Sequence, residues 1–566
     1  MLTARSCAAL VWSLTLTLVD GGNPKRLPSI IGGGTAGLTI ASRLAPHASV
    51  AVIEAGGFYE VDNGNKSIVP FYAFTQPFLG VSTYVKNPLM DWDLLTVPQS
   101  GANDRIIHYA QAKTLGGCSA HSTLAYLRGT KGSQDRWTEV SCTLSPPNWQ
   151  KRKTPNATFE YDMSAFETGK KSGPVHVSWA NYVDPSAPWL ARALQTTGVP
   201  MSSLGLNSGT HSGFGAWSTT MIDPQSATRS SATEYLHDAI QDTSIMVYHR
   251  TQALKINFDP ATKTATSVRV STLGLEYTLA AAKEIILSAG VFHTPQLLIV
   301  SGIGPASTLQ RHSIPAVAAL PGVGQSLQDQ ISISVSSGLN TPSASTLIND
   351  PAAFPAVLDE YLASRSGPLS SAGGYLSFEK LPAPFRTSLS NATLSALAAL
   401  PQDFPELEYI VAAFPSSDPS KIPTIGAVSA TLLHPFSRGT VTLASGSMAD
   451  APVIDLGWLT HPTDQDLLVA SVKRLRQFWN ATALQPVKTG DGEIAPGANI
   501  TADNDILAWE GDPMAVVDAQ GRVLGGVQKL RVVDASVLPF ALPAHPTATL
   551  YALAEKIADD ILRGLR

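Results

Sequence analysis

The stretch IIGGGTAGLTIASRLAPHASVAVIEAG, residues 30–56, decides the fold. Gly32, Gly34 and Gly37 stand in G-x-G-x-x-G spacing. Ile30 and Ile31 before them read as a strand end, Thr35 to Ala45 as an unbroken helix, and Ser49 to Ile53 as a second strand closing on Glu54. That order is the strand–turn–helix–strand unit that binds dinucleotides. Gly32 permits the tight turn, Gly34 lets the backbone approach a pyrophosphate, and Gly37 lets the helix pack on the strand. The helix N-terminus presents free N–H groups and a positive dipole end to the phosphates. Glu54 can accept hydrogen bonds from a ribose. A glutamate there argues against a 2′-phosphate, so FAD or NAD fits better than NADP.

The chain around this unit has 566 residues, too many for one core, so two or more domains are expected. Apolar residues make up 44% and charged residues 15%, a balance that buries much surface. The net charge of −5 and the absence of a basic run exclude a general attraction to nucleic acid. The N-terminus carries Arg5, an apolar stretch from Cys7 to Val19, and then Gly21 and Gly22. It reads as a secretory signal peptide, too short for a membrane span. Five N-x-S/T sequons, at Asn65, Asn156, Asn391, Asn480 and Asn499, are compatible with secretion. Of three cysteines, Cys7 would leave with the signal, and Cys118 and Cys142 do not make a disulfide scaffold. Cys118, in a glycine turn, reads as a packed small residue.

Further along, KTLGGCSAHSTLAYLRGT (113–130) is a glycine turn followed by apolar chain. In AAAKEIILSAGVFHTPQLLIVSGIGP (280–305), Glu284 to Ser288 reads as a strand reaching Ala289 and Gly290, where backbone can approach a ligand closely. Thr294 and Pro295 then open a helix. Arg229 to Ala232 opens another, with a serine cap. Strands at Ser244–Tyr248 and Ser267–Ser271 predict a β-meander between βα units. LPGVGQSLQDQ (320–330) reads as a loop. Near the C-terminus, Leu530 to Val533 is a buried strand, His545 lies in a proline-bounded loop, and Leu550 to Leu562 has helix-period apolar positions.

Taken together, the Gly32 fingerprint, K-x-L-G-G-x-S at Lys113–Ser119, the Ser288–Pro305 motif, L-P-G-V-G-x-x-L-Q-D at Leu320–Asp329, and V-V-D-A-S with H-P beyond it resemble the glucose–methanol–choline (GMC) oxidoreductases. SGPLSSAGGYLSFEKLP (366–382) and HPFSRGTVTL (434–443) look most like fungal members near the aryl-alcohol oxidases and patulin synthase. The resemblance implies an α/β fold with a Rossmann-like FAD-binding domain and a second α+β substrate domain, an antiparallel sheet with helices on one side. It implies a discontinuous FAD domain over 28–150, 228–312 and 510–566, and a substrate domain over 151–227 and 313–509, after a signal over 1–22. For FAD it points to Gly32, Gly34, Thr35, Ala36, Gly37, Glu54, Ala55, Leu115, Gly117, Ser119, Ser122, Ala253, Gly290, Asp534, Ala535, Pro546 and Thr547.

The chemistry so implied is oxidation of a small alcohol. A hydride passes to flavin N5, His545 takes the hydroxyl proton, and dioxygen or another acceptor reoxidises the flavin. His545, in P-A-H-P, matches the second of the family's two catalytic positions, whereas His434 and His461 match neither and read as structural. The first position is missing: no histidine lies between His461 and His545, and the stretch Asp505 to Met514 looks shortened. The tract after Trp137 is also irregular, Ser122 stands where relatives often carry asparagine or histidine, and Gln330 replaces a frequent histidine. These departures leave two competing readings, a flavin-binding protein without redox turnover and a lyase on the same fold.

Overall fold

The computed structural model describes residues 28–75, 87–131, 148–149, 173–223, 225–281, 283–416, 422–497, 499–503, 522–538 and 541–563. The signal segment, Cys142, Asn156, the tract after Trp137 and the stretch Asp505 to Met514 lie outside the described residues. The chain up to Val300 supplies β1 (Ser29–Ile31), α1 (Thr35–Leu44), β2 (Ala51–Ile53), α2 (Ala187–Thr196), β3 (Phe214–Trp217), α3 (Thr233–Asp242), β4 (Met246–Tyr248), β5 (Ile285–Leu287) and α4 (Gly290–Val300). The second half supplies β6 (Ile331–Leu339), α5 (Ala344–Asn349), β7 (Tyr375–Glu379), β8 (Leu407–Pro415), β9 (Thr424–Leu432), α6 (Pro462–Trp479), β10 (Lys488–Ala495), β11 (Leu530–Val532) and α7 (Thr547–Arg563).

A parallel sheet of order β4-β2-β1-β5-β11 carries the dinucleotide unit. Its strands are short and apolar, and β1, β2, β5 and β11 are buried at every position, as a sheet covered on both faces requires. Burying a side chain such as Ile30, Val52 or Ile286 contributes about 1.5–3 kcal/mol. Helix α1 packs against α7 and α3. The buried Glu555 of α7 ties the three together, pairing with Arg43 of α1 and accepting from the Tyr235 hydroxyl of α3 at 3.1 Å. An antiparallel meander, Thr251–Phe258, Ala265–Thr272 and Leu275–Ala280, packs against α4.

A second, antiparallel sheet of order β10-β6-β9-β8-β7-β3 forms the other layer. Alternation sorts its residues. Leu407, Tyr409 and Val411 of β8, and Val428, Ala430 and Leu432 of β9, join α2 and α6 in a second core. Glu408, Ile410, Ala412 and Phe414 of β8 therefore stand on the opposite face. Buried Arg474 of α6 braces the core, gripping Glu379 with two bonds of 2.8 and 2.9 Å while the Tyr409 hydroxyl donates to the same carboxylate at 2.5 Å.

Four sequence expectations need correction. Helix α4 starts at Gly290, not Thr294, and holds Pro295 inside it. Its early start is fixed from outside, because the Asp534 carboxylate accepts from Gly290 N at 3.0 Å and Thr294 Oγ1 at 2.6 Å. Strand β4, expected in a meander, instead forms the edge of the parallel sheet beside β2. Helix α3 has Ala232 at its N-cap without a side-chain cap, and Ser231 accepts from Thr233 N at 3.2 Å instead. Residues 320–330 are not all loop, since Gln325–Leu327 is a strand. It pairs with Gly439–Thr442, and Val441, Ile454 and Leu456 pack with Phe292 of α4. This part of 313–509 thus packs with the parallel layer.

Packing of α1 on the sheet rests on Gly37. A Cβ there would lie 1.9 Å from the Gly32 carbonyl oxygen, a backbone atom that cannot move aside. Gly37→Ala should lower stability by about 1–3 kcal/mol. Gly490→Ala, where nothing lies within 4 Å, should stay within about 0.5 kcal/mol of the parent. Paired thermal melts check both. Equal melting temperatures would refute the packing role of Gly37.

Candidate active site

The parallel strands end on a common cleft of about 370 Å³. Open α/β sheets bind ligands at the carboxyl ends of their strands. Gly32, Glu54, Ser288 to Gly290, and Asp534 follow β1, β2, β5 and β11 and line it. Gly32 has φ +103°, and a Cβ on it would strike the Ser288 carbonyl oxygen at 2.1 Å. Gly34 is the N-cap of α1 without a side-chain cap, so the first helical N–H groups remain open toward the cleft. A Cβ on Gly34 would meet only Gly117 Cα, at 3.7 Å, and so would project into the cleft. Bare backbone at a helix N-terminus is what a pyrophosphate needs.

Of the sequence-derived cofactor residues, Gly32, Gly34, Thr35, Ala36, Glu54, Ala55, Gly117, Ser119, Ser122, Ala253, Gly290, Asp534, Ala535, Pro546 and Thr547 line this cleft. Gly37 and Leu115 are not among its lining residues. Gly37 is spent on helix packing, and the buried Leu115 side chain backs Gly33, where a Cβ would lie 2.7 Å from it.

Glu54 and Asp534 differ in what they can still accept. Glu54 takes Gly33 N on one oxygen and Gly56 N on the other, each at 2.8 Å. These contacts leave part of its acceptor capacity unused. Burial pushes its carboxyl up to about 6 despite these bonds. Asp534 accepts Gly290 N and Thr294 Oγ1 on one oxygen, and Ser536 N and Oγ at 2.9 and 2.6 Å on the other. Its side chain has no acceptor site left, so it shapes the cleft by fixing α4.

Two cleft residues, Trp92 and His293, escaped sequence reasoning, and a third, Cys118, was misplaced by it. The Trp92 ring lies against His293, tilted by 33° with centroids 4.2 Å apart, and Lys113 lies over the Trp92 ring at 5.0 Å. Burial, helped by the Lys113 charge, holds the His293 imidazole down to about 4, so it is neutral. Cys118 opens onto the cleft rather than packing as a small core residue, because the positive φ angles of Gly116 and Gly117 turn the chain there.

A second cavity of about 410 Å³ abuts the first. The boundary falls within two pairs of consecutive residues. Ser122 lines the cleft and Thr123 the cavity, while Pro546 lines the cleft and His545 the cavity. His545 Nε2 lies 2.9 Å from Oε1 of Glu408, which is 2% exposed on the cavity-facing side of β8. Burial pulls the imidazole down, but the Glu408 charge and hydrogen bond outweigh it, and the net direction is up. The loop carrying His545 is pinned on three sides. Gln328 accepts from Ala541 N at 2.9 Å, Gln330 donates to the Leu542 carbonyl at 2.9 Å, and His211 Nε2 is 3.0 Å from the Pro543 carbonyl. His434 stacks on Phe404, and His461 caps α6 by accepting from Thr463 N at 3.2 Å. Glu408 had one sequence signal, a carboxylate at an alternate position of the apolar run LEYIVAAF.

The comparisons with known proteins agree on one family. GMC oxidoreductase family models match residues 29–332 and 435–554. The glucose methanol choline oxidoreductase of Aspergillus terreus is 43% identical over 94% of this chain and 92% of its own length. The patulin synthase of Aspergillus clavatus is 40% identical over 94% of this chain and 91% of its own. The structure of an FAD-dependent oxidoreductase from Chaetomium thermophilum superposes with a TM-score of 0.81 at 26% identity, covering 96% of this chain and all of that one. With a glycine-floored dinucleotide cleft opening beside a histidine-bearing cavity, this chain belongs to the GMC oxidoreductases, the FAD-dependent oxidoreductases whose fold it shares.

Proposed function

We propose that the protein oxidises an alcohol held in the 410 Å³ cavity, with His545 as the base. The observation that carries this reading is the place of His545, on the boundary between cavity and cleft and hydrogen-bonded to buried Glu408. FAD, when bound in the cleft, supplies the hydride acceptor, and dioxygen or another oxidant restores it. Gly32, Gly34, Thr35 and Ala36 would hold its pyrophosphate, and Glu54 would accept from its ribose with the sites it keeps free.

The protein's own work is on the proton. An ionised Glu408 only accepts, so it selects the tautomer with hydrogen on Nε2 and leaves Nδ1 as the base. Nδ1 takes the hydroxyl proton as the carbinol C–H bond breaks, and the alcohol becomes a carbonyl compound. The imidazolium so formed is stabilised by Glu408. The three contacts on the 541–543 backbone hold the ring in place, so no reorganisation is needed at the moment of transfer.

Absence of a histidine between His461 and His545 favours the competing reading, a flavin-binding protein without turnover or a lyase. Anaerobic mixing with alcohols separates the two. Bleaching of the flavin supports oxidation, and bound but unbleached flavin supports the alternative. His545→Ala should slow bleaching about 10²–10⁴-fold while FAD absorbance stays. Bleaching at the parent rate would remove His545 from the role of base. Because the base works neutral, kcat/KM should rise with pH through a midpoint above the ordinary histidine value of about 6.5. In Glu408→Gln, which loses the charge that holds the proton, that midpoint should fall.

Cofactor placement has its own test. Gly34→Val should purify folded but colourless, with its melting temperature close to that of parent apoprotein. Cys118 opens on the cleft but its surroundings push the thiol up, so it should alkylate in apoprotein at alkaline pH and be protected by FAD. Yellow Gly34→Val protein, or alkylation unaffected by FAD, would show the cofactor to lie elsewhere.

The chain also fits the secretory pathway, on the Arg5 and Cys7–Val19 pattern and on sequon asparagines Asn65, Asn391, Asn480 and Asn499, all four of which are exposed. Protein from a fungal host should begin just after Gly21 or Gly22 and lose mass on deglycosylation. An intact Met1 terminus on unglycosylated cytosolic protein would contradict this.

A further inference from the structure

We propose that the cavity beside His545 is built for a neutral, elongated aromatic alcohol of two or three fused rings, whose far end carries a hydroxyl that donates to Asp184. This rests on the reading of His545 as the reacting end. The cavity follows strand β8. Glu408, near the start of the strand, holds His545, and Ile410, Ala412 and Phe414 line the wall beyond. The lining residues of the strand run from Ile410 to Phe414, about 13 Å at ~3.3 Å per residue, beyond His545. A single-ring alcohol held at His545 would leave most of that length empty. The volume of about 410 Å³ falls within the range of roughly 300–1,000 Å³ that encloses drug-sized ligands.

Topology sets where Asp184 lies. Leu339 at the end of β6 is in register with Thr424 of β9, which pairs with Pro415 of β8. That edge of the sheet is remote from Glu408. The chain leaves it at Leu339 and enters α5 at Ala344, and α5 packs on β8. Asp184 accepts from Ala344 N at 2.7 Å, at the first residue of α5. The carboxylate therefore stands toward the Phe414 end of the cavity, which it lines.

Its remaining valence fits a donor. One oxygen of Asp184 accepts both Ser186 N at 2.9 Å and Ser186 Oγ at 2.5 Å, and the other accepts Ala344 N alone. One acceptor site is left. Phe71, Trp179, Tyr182, Trp217 and Leu376 give the lining a broad aromatic and apolar area, interrupted by small hydroxyls such as Ser218 and Ser371. Among the described residues that line the cavity there is no Lys or Arg. His545, the one lining group that can become cationic, is already paired with Glu408, so the charge of a carboxylate or phosphate on the ligand is left without a partner, and Asp184 repels it. Ser186, Ser345 and Asn349 also line that end, but Asp184 is the one carboxylate among the described lining residues, and with the aromatic walls it favours flat, neutral rings with a terminal hydroxyl.

Equilibrium dialysis against the FAD-loaded protein tests this without relying on turnover. The probes are benzyl alcohol and naphthalenemethanols bearing a hydroxyl, methoxy or carboxylate group at the ring position remote from the carbinol. The hydroxyl compound should bind about tenfold tighter than the methoxy one, as expected for a hydrogen bond to a charged acceptor, and the carboxylate should bind weakest. Asp184→Ala should erase the hydroxyl preference. Ala412→Phe, which narrows the wall without touching Asp184 or His545, should weaken the naphthyl probes about tenfold and benzyl alcohol by less than about twofold. Equal affinity for the hydroxyl, methoxy and carboxylate probes, or equal effects of Ala412→Phe on one-ring and two-ring alcohols, would overturn the proposal. Flavin bleaching by the same alcohols is read separately. Ordered binding without bleaching would leave the cavity assignment standing and reject alcohol oxidation, whereas bleaching without ordered binding would do the reverse.

Discussion

The hydrogen bond between His545 and Glu408 is the contact on which the site depends. It joins a loop that runs into α7 of the parallel layer to a strand in the middle of the antiparallel sheet. A carboxylate 2% exposed is tolerated only with a partner, since an unpaired buried charge is strongly unfavourable. The imidazole supplies that partner and is in turn fixed in tautomer and direction. Neither side is free to drift. Strand β8 is held between β7 and β9, and the loop is gripped by Gln328, Gln330 and His211. The two cavities meet at this contact because the loop carrying it lies on their shared wall.

A related economy appears in the carboxylates of the cleft. Glu54 and Asp534 both sit at strand ends, yet only Glu54 has acceptor sites to spare. Asp534 uses its full capacity to start α4 early and to tie β11 to it. Two acidic residues that a motif treats alike thus differ in the acceptor capacity they keep. The relatives of this chain carry different names on one shared frame. Such variety is expected where backbone and glycine set the cofactor cleft while side chains on a separate sheet set the cavity.

Much of the parallel layer was legible because its signals are local. The Gly32 fingerprint, the apolar run before Gly290, the Leu530 strand and the C-terminal helix each declare themselves within a few residues. The loop position of His545 was legible from its bounding prolines. Glu408 was not, because its role depends on strand alternation and on a partner 137 residues away. The early start of α4 was hidden for the same reason: Pro295 argues locally for a helix beginning near it, and the carboxylate that overrides this lies 244 residues from Gly290. Strand β4 looked like part of a meander because its neighbours in sequence form one, whereas its pairing partner is β2. Gln330 looks in the sequence like a loss, a histidine replaced, yet its amide holds the Leu542 carbonyl.

The central claim is that Glu408 holds His545 as a primed base at the junction of cleft and cavity. The most direct measurement is a nitrogen NMR titration of ¹⁵N-histidine-labelled, FAD-loaded protein, with the His545 signal identified by its loss in His545→Ala. Net elevation by Glu408 predicts a midpoint above the ordinary histidine value, with the Nε2-protonated tautomer at high pH and a downward move in Glu408→Gln. A midpoint at or below the ordinary value that Glu408→Gln leaves unmoved would contradict the account.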